Sequence, residues 1–368
     1  MQMNLDDLLE DQQLSLKESG TFASHLIYEL SAALSVNMAM IGHELGFYKL
    51  LATTGPLDAK ELSSRTGTHE KMVAEWLNNQ AAGGYVDYHP LEKKYALPPE
   101  KAVFLADAAN PLFMIESFKL LEAALENKQN ILAAFRNKES ISLYDHDFRV
   151  GLNAFQGAQY SPVSIKNWFT RMPELFHKLQ EGAQVAVVGC GTGNILFELA
   201  RIFPDSRFYG FDPDPTFIKE ARQTAINQEL AHRVHFKLAT AKTFGGNQYD
   251  LVCMFNTFNE LSDPFGAALH TWESLSDDGT FLMVNPASED ETEMNHNPLG
   301  RLHYAISACY SVPKALSDDL KVTLGAKASP DQLRRFVCNA GFAKMNILEK
   351  DPNYMVLEFK KIKPERIK

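Results

Sequence analysis

The chain has 368 residues, with 36 Lys and Arg against 46 Asp and Glu, for a formal net charge of −10. Apolar residues at 45% and charged residues at 22% supply packed cores and exclude a disordered or fibrous chain, and the length allows two or three domains. An acidic chain with no basic patch repels phosphate backbones and anionic headgroups, so neither nucleic acid nor a membrane is an expected partner.

The opening MQMNLDDLLEDQQ has acidic residues and no basic one, the reverse of a secretory leader, so no export signal is expected. Cys190, Cys253, Cys309 and Cys338 are far apart and form no CxxC pair, which predicts reduced thiols, no metal site and a cytoplasmic protein. Residues 25–52 show helical apolar spacing. Glu29, His43, Glu44 and Lys49 interrupt them, so the segment falls short of a membrane span and reads as a buried or dimer helix.

Gly55-Pro56 marks a turn, and a short helix follows with a glycine stop at Gly67. The next helix is expected to start from Thr68 as N-cap and to place Met72, Val73, Trp76, Leu77 and Gln80 on one face. Two short strands around the polar turn Pro90 to Lys94 complete a winged-helix pattern. Its would-be recognition helix offers Lys71 against Glu70 and Glu75, too little cation for a phosphate backbone, so this unit is expected to pack and dimerise. Residues 108–180 look helical and aromatic-rich, as a connector that could form a pocket lid.

From Gln184 onward short β-branched and aromatic runs alternate with helical stretches: VAVVG, RFYGFD, RVHFKLA, YDLVCMF and GTFLMVN. This is the pattern of an open, mainly parallel α/β sheet. AKMNILEKD and YMVLEFKK add a late antiparallel hairpin around Pro352-Asn353.

VAVVGCGTGN carries the chemistry. A buried strand runs into Gly189, Gly191 and Gly193 and then a helix, so the backbone turns sharply and a ligand can approach it without Cβ interference. Asp212 ends the next strand 23 residues after Gly189, close to the ~20 expected of a carboxylate that accepts both hydroxyls of a ribose. A dinucleotide fingerprint needs a third glycine where this chain has Asn194, which opposes a NAD-dependent oxidoreductase.

The G-x-G-x-G spacing instead resembles motif I of class I methyltransferases that use S-adenosylmethionine. EWLNNQAAGGYVDY with YALPPE, and NPLGRLHYAIS followed by Pro313 to Leu316, Leu324-Gly325 and Ala340 to Phe342, extend the resemblance to a bacterial family of two-domain enzymes of this class. The resemblance implies a winged-helix-like α+β dimerisation domain (residues 1–107), a helical connector (108–180) and a Rossmann-like α/β methyltransferase domain (181–368) with a seven-stranded, mostly parallel sheet, paired as a homodimer. S-adenosylmethionine would be bound by Gly189, Cys190, Gly191, Gly193, Asp212, Pro213, Thr240, Ala241 and Asn256. The acceptor would meet Tyr160, Asn259 and Tyr304.

The chain departs from that family at three places. Asn256-Thr257-Phe258-Asn259-Glu260 stands where the family carries an Asp…His-Asp pattern, Asn285-Pro286 stands where it often has Glu-Pro, and Ala239-Thr240-Ala241 lacks the Asp placed near adenine. Methyl transfer from a sulfonium is an in-line displacement that needs alignment above all. Where a base helps, Glu260 is the first candidate, with His296 and His303 behind it. No Asn/Asp-Pro-Pro-aromatic element or Pro-Cys nucleophile is present, so a small-molecule acceptor is expected. The alternative is a cofactor-binding regulator that transfers nothing and uses its winged helix for DNA or protein contact.

Overall fold

The computed structural model describes residues 16–361, apart from 109, 111, 137–145, 158, 161, 318–321, 323 and 326; the acidic amino terminus lies outside the described residues. The chain divides into two compact units, Met1–Phe118 and Lys119–Lys368. The stretch expected as a connector is therefore split. Its later helices, carrying Ile165, Trp168 and Phe169, share one buried cluster with sheet residues such as Val185 and Val187 and belong to the second unit.

In the first unit the single helix expected over 25–52 is two, Leu16–Glu44 and Phe47–Thr54, because Gly46 at φ 71° turns the chain between them. The helix Ala59–Thr66 has a full capping box between Asp58 and Glu61 and stops at Gly67. The next helix, Glu70–Ala82, is preceded by His69 rather than capped by Thr68, whose hydroxyl bonds that of Thr66 at 2.8 Å. Val73, Trp76, Leu77 and Gln80 are buried as expected, whereas Met72 is 69% exposed: it lies one residue outside the buried stripe. Gln80 accepts from the Tyr48 hydroxyl at 2.5 Å, so the polar member of the stripe is satisfied. Strands β1 (Asp87–His89) and β2 (Lys94–Ala96) pair antiparallel as the wing.

The second unit is built on a seven-stranded sheet. Strands β3 (Gln184–Val188), β4 (Arg207–Asp212), β5 (Val234–Leu238), β6 (Tyr249–Phe255), β7 (Leu275–Pro286), β8 (Phe342–Lys350) and β9 (Tyr354–Lys361) stand in the order β5-β4-β3-β6-β7-β9-β8. The pairs from β5 through β7 are parallel, while β9 runs antiparallel to both β7 and β8. The central strands are buried on both faces. Val185 and Val187 join one cluster while Ala186 and Val188 join the other, as the alternation of side chains along a strand requires. The chain moves outward from β3 through β4 to β5, then returns to β6 on the other side of β3. That reversal opens a crevice at the carboxyl ends of β3 and β6, the place where open α/β sheets bind ligands. Among the described residues no helix is long and apolar enough to cross a membrane.

Candidate active site

A cavity of about 470 Å³ occupies that crevice, within the range of small-molecule and cofactor sites. Its floor is the turn after β3. Gly189, Gly191 and Gly193 all have positive φ, at 72°, 54° and 88°. A Cβ on Gly189 would fall 2.2 Å from Thr257 Oγ1, and one on Gly191 would fall 2.8 Å from Asn153 Oδ1. The turn therefore demands glycine for both conformation and space.

Asp212, 2% exposed at the end of β4, forms the adjacent wall. Its Oδ2 accepts from Gly191 N at 3.0 Å, and its Oδ1 accepts from Asp214 N at 2.9 Å and from Arg149 Nη2 at 2.5 Å. A carboxylate has about four acceptor positions, so three are committed within the protein. The expectation that Asp212 takes two ribose hydroxyls is thereby narrowed: one position on Oδ2 remains, and a second requires Arg149 to yield. Arg149 comes from the helix His146–Gly157 and lies 4.9 Å over the Phe217 ring, so cation–π attraction adds to its ion pair.

Gly189, Gly191, Asp212, Pro213, Thr240, Ala241, Asn256 and Glu260 all line this cavity. Cys190 and Gly193 do not. Burial and the nearby Asp212 charge push the Cys190 thiol well up, so it stays protonated. Gly193 caps the helix Asn194–Ile202, and a Cβ there would lie 2.6 Å from Phe236 Cζ; that glycine serves helix packing. Tyr160 is buried among Trp168, Phe255 and Tyr354, where its hydroxyl accepts from Asn256 Nδ2 at 2.5 Å. It does not line this cavity and instead holds Asn256 in place. Tyr304 is 39% exposed and does not line this cavity, because its neighbour His303 takes the inward face of the helix Pro298–Ile306.

Asn256 follows β6 with φ 48°, a left-handed conformation that asparagine tolerates better than most side chains. It is buried with Oδ1 unpartnered among the described residues. Asn259 and Glu260 sit in the short 3-10 turn Phe258–Glu260 that follows, with Glu260 on the cavity wall. His303 is buried, and burial followed by the charge of Lys327 lowers its pKa to about 4. It is therefore neutral at pH 7. His296 does not line this cavity.

Several cavity residues carried no signal in the sequence. Arg149, Asn153 and Gln156 come from one face of the helix His146–Gly157, which has no motif. Tyr310 and Lys314 come from a π-helical turn, Ser307–Ser311, and the helix after it, with Lys314 Nζ donating to the Tyr310 hydroxyl at 2.7 Å. A π-turn inside a helix is frequent at functional sites, but nothing in the residue pattern announces it.

Comparison with known proteins bears on this geometry. Residues 187–281 match the family model of a methyltransferase domain, and residues 32–107 match the Rv2258c-like winged HTH domain. The chain carries a methyltransferase domain behind a winged helix-turn-helix domain. The trans-aconitate 2-methyltransferase of Streptomyces avermitilis is 28% identical over 121 residues, which is 33% of this chain and 44% of that protein, so the chain spans less than half of this curated relative. Human N-acetylserotonin methyltransferase, solved in complex with S-adenosylmethionine, superposes with TM-score 0.69 at 15% identity over 93% of this chain and 98% of that one. The mitomycin 7-O-methyltransferase superposes at 0.67 with 17% identity over 94% and 100%. Such likeness establishes the fold alone, a Rossmann-like, mostly parallel seven-stranded sheet with its late antiparallel hairpin. The methyltransferase match begins within β3, spans the glycine turn and Asp212, and ends inside β7.

Proposed function

We propose that the chain transfers a methyl group from S-adenosylmethionine to a small-molecule acceptor. The observation that carries this reading is the meeting of a glycine turn without room for Cβ atoms and a buried carboxylate in one cavity, at the switch point of a methyltransferase-type sheet. The cradle suits the cofactor on its own evidence. Gly189 and Gly191 would accept the backbone-close approach of the aminoacyl part, Asp212 the ribose, and Thr240 and Ala241 the adenine edge. Bound there, the cofactor supplies an electrophilic methyl on sulfur.

The chain's own contribution is alignment, exclusion of water and, at Glu260, a carboxylate able to receive the acceptor's proton as the methyl is displaced in line. Thermal unfolding with S-adenosylhomocysteine against NAD tests the reading. Stabilisation by the first alone is expected, and stabilisation by NAD alone would refute it.

The same reading includes a homodimer in the cytoplasm. The helix Leu16–Glu44 exposes Phe22, Leu26, Ile27, Tyr28, Leu30 and Leu34, more apolar surface than a lone helix leaves to water without a partner. All four cysteines are free thiols, which supports a reducing compartment. The regulator alternative draws on Asn259, which stands where a histidine base was expected. Binding of random duplex at low salt would favour it, and the acidic residues Glu70 and Glu75 of the helix Glu70–Ala82 oppose it.

A further inference from the structure

Next to the large cavity lies a chamber of about 20 Å³, and the two share Leu152, Gln156, Asn256 and Glu260 as common walls. Four buried polar atoms on residues that line it have no hydrogen-bond partner among the described residues: Asn256 Oδ1, Asn259 Oδ1, His303 Nδ1 and Ser311 Oγ. These residues are at most 4% exposed. Buried polar atoms are nearly always paired in a folded protein, so four unpaired atoms around one small space describe a site that a ligand completes.

The chemistry of the four atoms selects the ligand. Two are amide oxygens, which only accept, while the serine hydroxyl and the imidazole nitrogen can each donate or accept. A group entering the chamber must therefore bring a donor, which a carboxylate lacks at neutral pH. The space holds one oxygen-sized group. Of the remaining walls Leu152, Phe155, Pro286 and Ile306 are apolar and Gln156, Gln159 and Glu260 polar, and the body that carries the entering group would lie in the adjoining cavity.

We propose that this chamber is the hydroxyl-recognition subsite of the methyl acceptor, formed by Asn256, Asn259, His303 and Ser311, and that it selects neutral alcohols or phenols over carboxylates. The proposal rests on the methyl-transfer reading of the adjoining cavity. It assigns to Asn259 a positioning role in place of the base expected at that point of the fold, and it makes His303 and Ser311, distant in sequence, part of the same site.

The test uses the full chain saturated with S-adenosylhomocysteine and two probes of similar shape, phenol and benzoate, with binding read by ligand-observed NMR. Phenol is expected to bind at least about tenfold more tightly than benzoate. Asn259→Leu and Ser311→Ala should each weaken phenol about three- to tenfold while leaving S-adenosylhomocysteine affinity unchanged. Should Asn259→Leu not fold, Ser311→Ala gives the same readout.

Equal binding of benzoate, or phenol binding indifferent to the folded variants, would overturn the subsite. Phenol that fails to bind while S-adenosylhomocysteine binds would also overturn the subsite alone. If S-adenosylhomocysteine itself fails to bind, the methyl-transfer reading falls with it.

Discussion

The two ends of the crevice satisfy their polar groups in opposite ways. At the glycine end Asp212 already holds two backbone N–H groups and the Arg149 guanidinium, so the carboxylate is fixed in charge and orientation before any ligand arrives. At the other end Asn256, Asn259, His303 and Ser311 present buried polar atoms with no hydrogen-bond partner among the described residues. On the proposed reading, the first arrangement is a rigid receptor for the constant cofactor, and the second keeps its hydrogen-bonding capacity for the acceptor. A preorganised site spends its ordering cost in folding, whereas an unsatisfied one recovers its desolvation cost only when the right ligand enters.

Removing Arg149 breaks the satisfied end. Arg149→Met leaves the Asp212 carboxylate buried without its cation and should destabilise the fold by about 3 kcal/mol, the low end for a broken buried pair because the two N–H bonds remain. Urea unfolding of the variant and the parent measures it, and equal stabilities would show that the pair contributes little.

The unsatisfied end has its own signature in acid. His303 is buried with its pKa lowered to about 4, against about 6.5 in the unfolded chain. Between those values the unfolded state binds the extra proton, so stability falls as pH drops. The loss should reach roughly 3 kcal/mol between pH 7 and pH 4, and His303→Gln should remove that component. Parallel acid profiles for parent and variant would place His303 in contact with solvent.

Smaller effects sharpen the contrast. Gly189→Ala forces a side chain into φ 72° and against Thr257, at a cost of about 2 kcal/mol with weakened S-adenosylhomocysteine binding, readable by denaturation and calorimetry together. Tyr304→Ala, on the outer face of its helix, should stay within about 0.5 kcal/mol of the parent and leave cofactor affinity alone. A large effect there would return Tyr304 to the site.

What the sequence made legible follows the same division. The apolar runs of β3, β4 and β6 are readable because parallel strands buried on both faces need uninterrupted hydrophobic residues, and the glycine turn is readable because no other residue fits its backbone. Asp212 was placed by its spacing from Gly189. Arg149 was not, since its ion pair joins residues 63 positions apart and helical periodicity says nothing about which Asp a long side chain will meet. The chamber was half legible: Asn259 follows β6 directly, but His303 and Ser311 arrive from a helix and a π-turn far downstream. The inward–outward choice between His303 and Tyr304 is a rotation of one residue, beyond what residue type can decide. In the first unit, Gly46 signalled the break between two helices, yet the apolar spacing on either side reads as one.

Calorimetric titration of S-adenosylhomocysteine into the parent chain and into Asp212→Ala tests the central claim most directly. One site per chain in the parent, weakened by about 10–100-fold when the carboxylate is removed, is the predicted result. No binding to the parent, or the same affinity in both proteins, would contradict it.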